Sequence, residues 1–367
     1  MYLLYRLPRV FVAVSLVLLL SCCRKHAPFQ TPDSASKVRP NVTRLVKPAT
    51  GSVITCGDSV EIELAQPGPG NTLDSVEVLT GKNIPLRMTG DRTRFFWHSG
   101  RDRVGQVTLK IMVFYNDTLQ ESHAANLVIL SDIVPKKYDY KVIREYPHDP
   151  EAYTQGLVFE NGYLYESTGL EGKSSLRLVN IGTGKPEKMV SMGREFFAEG
   201  IALFRDQIYQ ITYKSQVGFV YDKNTLEQIR SFDYQIREGW GLTADGENLV
   251  MSDGSSQLYF IEPEYFTQVD RIEVFDNKGM IPSLNELEYF RGKILANIYG
   301  ESDIAIIDPL SGKVMGKLDL RKLIPRGSAG DMNRVLNGIA ANPKTGHLFV
   351  TGKHWPVLYE IELIPAL

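Results

Sequence analysis

The chain has 367 residues, 43% of them hydrophobic, which is longer than one typical domain and enough to fill a sizeable core, so two domains are the starting expectation. Its formal net charge is −2 and it has no long basic run, which excludes a nucleic-acid partner, because phosphates call for clustered Lys and Arg. With three cysteines, two of them adjacent near the N-terminus, a disulfide framework is also excluded.

Residues 1–22 read as an export signal. Arg6 and Arg9 form a positive start, and residues 10–20 form an apolar stretch too short to span a bilayer comfortably. Leu19, Leu20, Ser21 and Cys22 resemble the end of a bacterial lipoprotein signal, where a small residue precedes the cysteine that is lipidated. The resemblance implies lipidation at Cys22 and a lipoprotein held to the membrane by its lipid, facing the periplasm or the cell exterior. An ordinary cleaved signal and an uncleaved anchor are the alternatives. Residues 23–42, rich in Pro, Ser, Lys and Thr with no apolar period, read as a flexible tether.

Residues 43–132 carry short alternating segments such as SVEIELA, TRFFWHS and GQVTLKIMVFYN, separated by the turn clusters PGPGN, TGDR and GRDR. That pattern predicts a small β-sandwich of immunoglobulin-like type. Within it Trp97 is expected in the core and Cys56 as a small buried hydrophobe. No cluster of chemically active side chains stands out, so this part reads as a spacer or binding module.

Residues 137–367 contain an internal repeat. TQGLVFENGYLYEST, AEGIALFRDQIYQITYK, GWGLTADGENLVMSDGS, LNELEYFRGKILANIYG and LNGIAANPKTGHLFVTGK align as strand, turn, strand, and after most of them comes a second hairpin. Four strands per unit at a period of roughly 40 to 50 residues is the pattern of a β-propeller blade. The last unit lacks a fourth strand, while YDYKVIREYP, starting at Tyr138, precedes the first unit without a partner. Pairing the two closes a five-bladed propeller and removes an exposed edge. The overall expectation is all-β: a five-bladed propeller preceded by the sandwich.

In such a ring the residues that open each innermost strand converge on one mouth of the channel: Gln155, Glu199, Trp240, Asn285 and Asn337. The glycines that follow four of them suit backbones crowding toward the axis, and Glu286 replaces glycine in the fourth unit. The second strands return to the same mouth, adding Glu166 to Thr168, Tyr213 with Lys214, Ser252 with Asp253, Asn297 to Tyr299, and Lys353 to Trp355. Polar groups among aromatic walls describe a small-ligand pocket, although a propeller channel also serves as a mere scaffold.

The motifs YTQGLVF, FAEGIAL, IYQITYK, EGWGLTADG, LVMSDGS, LNELEY and LNGIA, in this order, resemble the plant-type glutaminyl-peptide cyclotransferases, which also occur in bacteria, over about residues 138–367. The resemblance implies an enzyme that converts N-terminal glutamine of peptides and proteins to pyroglutamate with release of ammonia. It makes Glu199 the acid/base and Gln155, Trp240, Asn285 and Lys353 the substrate-binding residues. Tyr299 in ANIYG stands where a second channel tryptophan is expected, which bears on substrate preference or rate.

The chemistry suits these residue types. The α-amine, with a pKa near 8, must be neutral to attack, and the leaving nitrogen must gain a proton, so one carboxyl with a raised pKa serves both needs. None of the six histidines is paired at ligand spacing, so no catalytic zinc and no required cofactor are expected. A structural calcium held by channel oxygens stays open. A monomer is expected. The rivals are a metal-dependent propeller lactonase or esterase and a noncatalytic surface-binding propeller.

Overall fold

The computed structural model describes residues 41–80, 86–90, 92–100 and 103–364, so Cys22, the export signal and nearly all of the tether lie outside it. Among the described residues no helix is long and apolar enough to cross a membrane. The only helical segment among them is a single 3₁₀ turn at Arg321–Leu323.

Two sheets occupy the first part. Leu45–Lys47, Ser59–Leu64 and Arg94–His98 form one; Ser52–Thr55, Leu119–Leu130, Gly105–Tyr115, Leu73–Leu79 and Leu86–Thr89 form the other. Period-2 alternation turns Val60, Ile62 and Leu64 inward from one strand and Phe95 and Trp97 from its neighbour. They share a core with Val76, Ile111, Val113 and Leu127 of the facing sheet. Trp97 and Cys56 are therefore core residues, as their sequence context indicates.

The remaining strands form five antiparallel groups of four. Three are separate sheets, and the other two are halves of one eight-stranded sheet. Lys136–Pro147 joins those halves. Its first residues pair in parallel with Val314–Asp319, and Asp139 to Pro147 pair antiparallel with Val357–Ile364. The early strand thus supplies the fourth strand that the last repeat lacks.

The innermost strands, Thr154–Glu160, Ala198–Phe204, Leu242–Ala244, Leu284–Phe290 and Leu336–Ala341, touch one another in cyclic order. Five hydrophobic clusters lie one between each adjacent pair of sheets, from Leu176 with Ile208 round to Leu164 with Phe349. Inner strands are apolar because both faces are covered. Outer strands such as Lys185–Ser191 are charged and exposed. The result is all-β and propeller-like.

The two-sheet module sits on the flank of this ring. Phe275 from the ring enters the module's core. Around it, Glu273 accepts a hydrogen bond from Gln106 N (2.5 Å), Arg103 pairs with Asp270 (2.5 Å) and Lys313 with Asp132 (2.8 Å). These contacts use outer strands and an outer hairpin of the third and fourth groups, remote from the inner-strand ends.

Candidate active site

Four of the five inner strands break register at the same place, between Thr154 and Gly156, Ala198 and Ile201, Leu284 and Leu287, and Leu336 and Ile339. A bulge leaves a residue out of the ladder and re-aims its side chain. The second residues of these strands are Gln155, Glu199, Asn285 and Asn337, all buried. Trp240 stands two residues ahead of the fifth inner strand, with its carbonyl accepting Gly200 N (2.7 Å) beside Glu199. Backbones crowd here. A Cβ on Gly200 would collide with Leu242 N, and one on Gly241 with Asn285 O.

In the fourth group Glu286 takes the glycine's place. Its two oxygens accept hydrogen bonds from Leu157 N (3.1 Å) and Ile339 N (2.8 Å), tying three inner strands together. Burial, reinforced by Glu288, raises its pKa well above the usual carboxylate range.

Around the mouth the aromatic rings form a chain of contacts: Tyr153 to Phe197 (centroids 6.1 Å), Phe197 to Tyr213 (5.9 Å), Tyr213 to Trp240 (6.4 Å) and Trp240 to Tyr299 (5.6 Å). Lys353 closes the circle, its Nζ 4.6 Å from the Tyr153 ring centre and 5.2 Å from that of Tyr299. Tyr299 OH donates to the Met332 carbonyl (3.4 Å), which anchors this ring through the hydroxyl a tryptophan would lack.

Electrostatically the mouth is a coupled pair in a dry setting. Glu199 is 5% exposed, and among the described residues no hydrogen bond reaches its carboxyl. Burial pushes its pKa well above the usual carboxylate range; Lys353 opposes the shift and Glu238 adds to it. Burial likewise lowers Lys353 to about 8, with Glu199 pulling the other way. Burial lifts the Tyr153 hydroxyl to about 12, helped by Tyr299 and Glu199.

The amides at the mouth are partly unpartnered. Asn337 Nδ2 donates to Thr154 O (2.9 Å) and Gln155 Oε1 (3.1 Å), while Asn297 Oδ1 accepts from Gly338 N (2.9 Å). Asn285 Oδ1, Asn337 Oδ1 and Asn297 Nδ2 are buried without hydrogen-bond partners among the described residues. Buried polar atoms are nearly always paired, so these three, two on neighbouring inner strands and Asn297 on the second strand Lys293–Ile298, mark room for a polar ligand or water.

Some expected entrance residues lie elsewhere. Glu166 is buried in an ion pair with His148 (3.0 Å) and accepts from Thr154 Oγ1 (2.7 Å), because it lies between two paired strands rather than at their end. Trp355 is fully buried, its Nε1–H donating to Arg334 O (2.8 Å). Conversely, Tyr153, Phe197 and Glu238 belong to the mouth although the repeat alignment does not single them out. Each stands two residues before a ring position, an offset that puts it on the same side of an extended chain. At the opposite ends of the inner strands a cavity of about 460 Å³ is lined by Phe159, Thr243, Glu288 and Phe290. No group of three or more His, Cys, Asp or Glu among the described residues is arranged to hold a metal ion.

A family model described as glutamine cyclotransferase matches residues 111–363. The glutaminyl-peptide cyclotransferase of Arabidopsis thaliana is 41% identical over 239 residues, spanning 64% of this chain and 74% of that protein. The crystal structure of the Myxococcus xanthus glutaminyl cyclase superposes with a TM-score of 0.60 at 38% identity, covering 64% of this chain and all of that one.

Proposed function

Because the chain belongs to the glutamine cyclotransferase family, we propose that the ring of residues about Glu199 is the centre where N-terminal glutamine is cyclised. The protein is a glutaminyl-peptide cyclotransferase. It converts the N-terminal Gln of peptides and proteins to pyroglutamate. The observation that carries the assignment of the centre is the buried Glu199 carboxyl, with no hydrogen bond from the described residues and its pKa raised by burial, Lys353 opposing the shift.

In the proposed step the α-amine nitrogen attacks the side-chain carboxamide carbon. A new N–C bond forms, the bond from that carbon to the amide nitrogen breaks, and ammonia leaves. Glu199 accepts a proton from the attacking nitrogen and delivers it to the departing one. A carboxyl raised toward the amine's own pKa near 8 exchanges protons with both at little cost. Asn285 Oδ1 accepts from the carboxamide N–H, and Gln155, whose oxygen is engaged by Asn337, offers its N–H group to the substrate. Lys353 supports the negative charge that develops on the carboxamide oxygen. Trp240 and Tyr299 hold the glutamine side chain folded onto its own amine, the proximity part of the barrier. This chemistry calls on no metal or cofactor.

We read the ring as a five-bladed propeller, supported by five inter-sheet cores and the closing strand, and the flanking module as immunoglobulin-like, supported by its two facing sheets. Residues 1–22 support export as a lipoprotein anchored through Cys22 toward the periplasm or cell exterior; a monomer acting there on newly exposed N-terminal glutamines is part of the same proposal.

The test is incubation with a Gln-initiated dipeptide while pyroglutamate and ammonia are followed, with and without chelator. Equal amounts of both products, unaffected by chelator, are expected. A chelator-sensitive reaction would remove the metal-free step, and wild-type turnover by Glu199→Gln would remove the acid/base role.

A further inference from the structure

Resting on Trp240 as a wall of the glutamine pocket, we propose that Glu238 is a positioning residue of this site, whose carboxylate fixes the Trp240 indole in the orientation that folds the substrate. The backbone of Trp240 is already held on both sides: its N–H donates to Ser252 O (3.0 Å) and its carbonyl accepts from Gly200 N (2.7 Å). Nothing in that backbone pairing decides where the indole points. Glu238 does, since Trp240 Nε1–H donates to Glu238 Oε2 at 3.2 Å.

The carboxylate is itself held. Its other oxygen lies 3.5 Å from Lys214 Nζ, and that ammonium stands 4.5 Å from the centre of the Tyr213 ring. Tyr213 in turn meets the indole edge-on at 6.4 Å. Four side chains therefore close a circuit of carboxylate, ammonium, phenol ring and indole. Two come from the end of a second strand in one sheet and two from the segment leading into the next inner strand. Trp240 has only one polar hydrogen, so this contact is its single directional restraint; the edge contacts with Tyr213 and Tyr299 permit sliding and tilt.

Glu238 also acts through its charge. The groups that face Glu199 are Lys353, Glu238, Tyr153 and Tyr234. Of these, Glu238 is the other carboxylate, and it disfavours ionisation of Glu199. The two roles separate by substitution. Gln at position 238 keeps an oxygen that accepts the indole N–H but carries no charge. Ala removes both.

The test compares wild type, Glu238→Gln and Glu238→Ala in the full chain, using a Gln-initiated dipeptide across pH. Glu238→Ala is expected to lower kcat by about 10- to 100-fold through lost orientation, with Glu238→Gln recovering most of that loss. In both variants the limb of the rate profile governed by Glu199 is expected at lower pH than in wild type. A near-ultraviolet circular dichroism band, assigned to the indole by its loss in Trp240→Phe, should vanish in Glu238→Ala and persist in Glu238→Gln. That second readout needs no turnover, so an inactive wild type would overturn the cyclase centre without touching the positioning claim. Equal kcat in the two variants, or a band that survives in Glu238→Ala, would overturn the positioning role.

Discussion

Glu199 is costly to keep where it is, and that cost has a measurable direction. Its pKa is raised in the folded state, so the unfolded chain releases its proton first as pH rises. The stability it allows is fully present below the unfolded value near 4.5 and is lost as pH climbs toward the raised folded value. Glu199→Gln is therefore expected to lose activity by about 10²–10⁴-fold while its stability falls less between pH 5 and 8 than that of wild type, as read by urea unfolding. Lys353→Met should move the Glu199 limb of the rate profile upward, since Lys353 is the group that opposes the raised pKa. At this scale the sequence exposed Gln155, Glu199, Asn285 and Asn337, because a bulge recurs at one position of a repeat. Glu238 and Phe197 were illegible although each stands two residues before a ring position, because that column holds Tyr153, Phe197, Glu238, Ser283 and Val335 in turn, with no recurring residue type to mark it.

Between neighbouring strands the decisive feature is how little space separates the inner backbones. Gly241→Ala is expected to push Asn285 out of place, destabilising the fold by about 1–3 kcal/mol as overpacking does and lowering kcat with it; thermal melts and kinetics on the same preparation check this. The pair of His148 and Glu166 ties the first sheet to the closing one, with His148 Nδ1 also donating to Trp355 O (2.7 Å). His148→Ala leaves a buried carboxylate unpaired, so a loss of about 3–5 kcal/mol is expected, with the midpoint of urea unfolding as the measure. Strand order and the closing strand could be read from the period and from the unmatched segment at Tyr138. The inward turn of Glu166 could not, because a second-strand residue faces either the mouth or the next sheet according to register, which a single sequence does not display.

Across the whole molecule, among the described residues Phe275 is the ring side chain that enters the core of the flanking module, and beside it the exposed Arg103–Asp270 pair is worth little, while Lys313 is buried against Asp132. Phe275→Ala is expected to cost about 3–5 kcal/mol and to loosen the module, detected as faster proteolysis within residues 103–132, while cyclase kinetics stay near wild type because the mouth is elsewhere. The sequence foretold two parts but not their join, since Phe275 reads as an ordinary apolar residue until its neighbours are known. Lys136–Pro147 carries a further consequence. A ribosome produces that strand more than two hundred residues before its partner at Val357–Ile364, so its stretch from Asp139 to Pro147 stays an unclaimed adhesive edge until the last strand is made. On the proposed reading the mouth takes Asn337 and Lys353 from the last group of strands, so it is complete only once that group has closed against Lys136–Pro147.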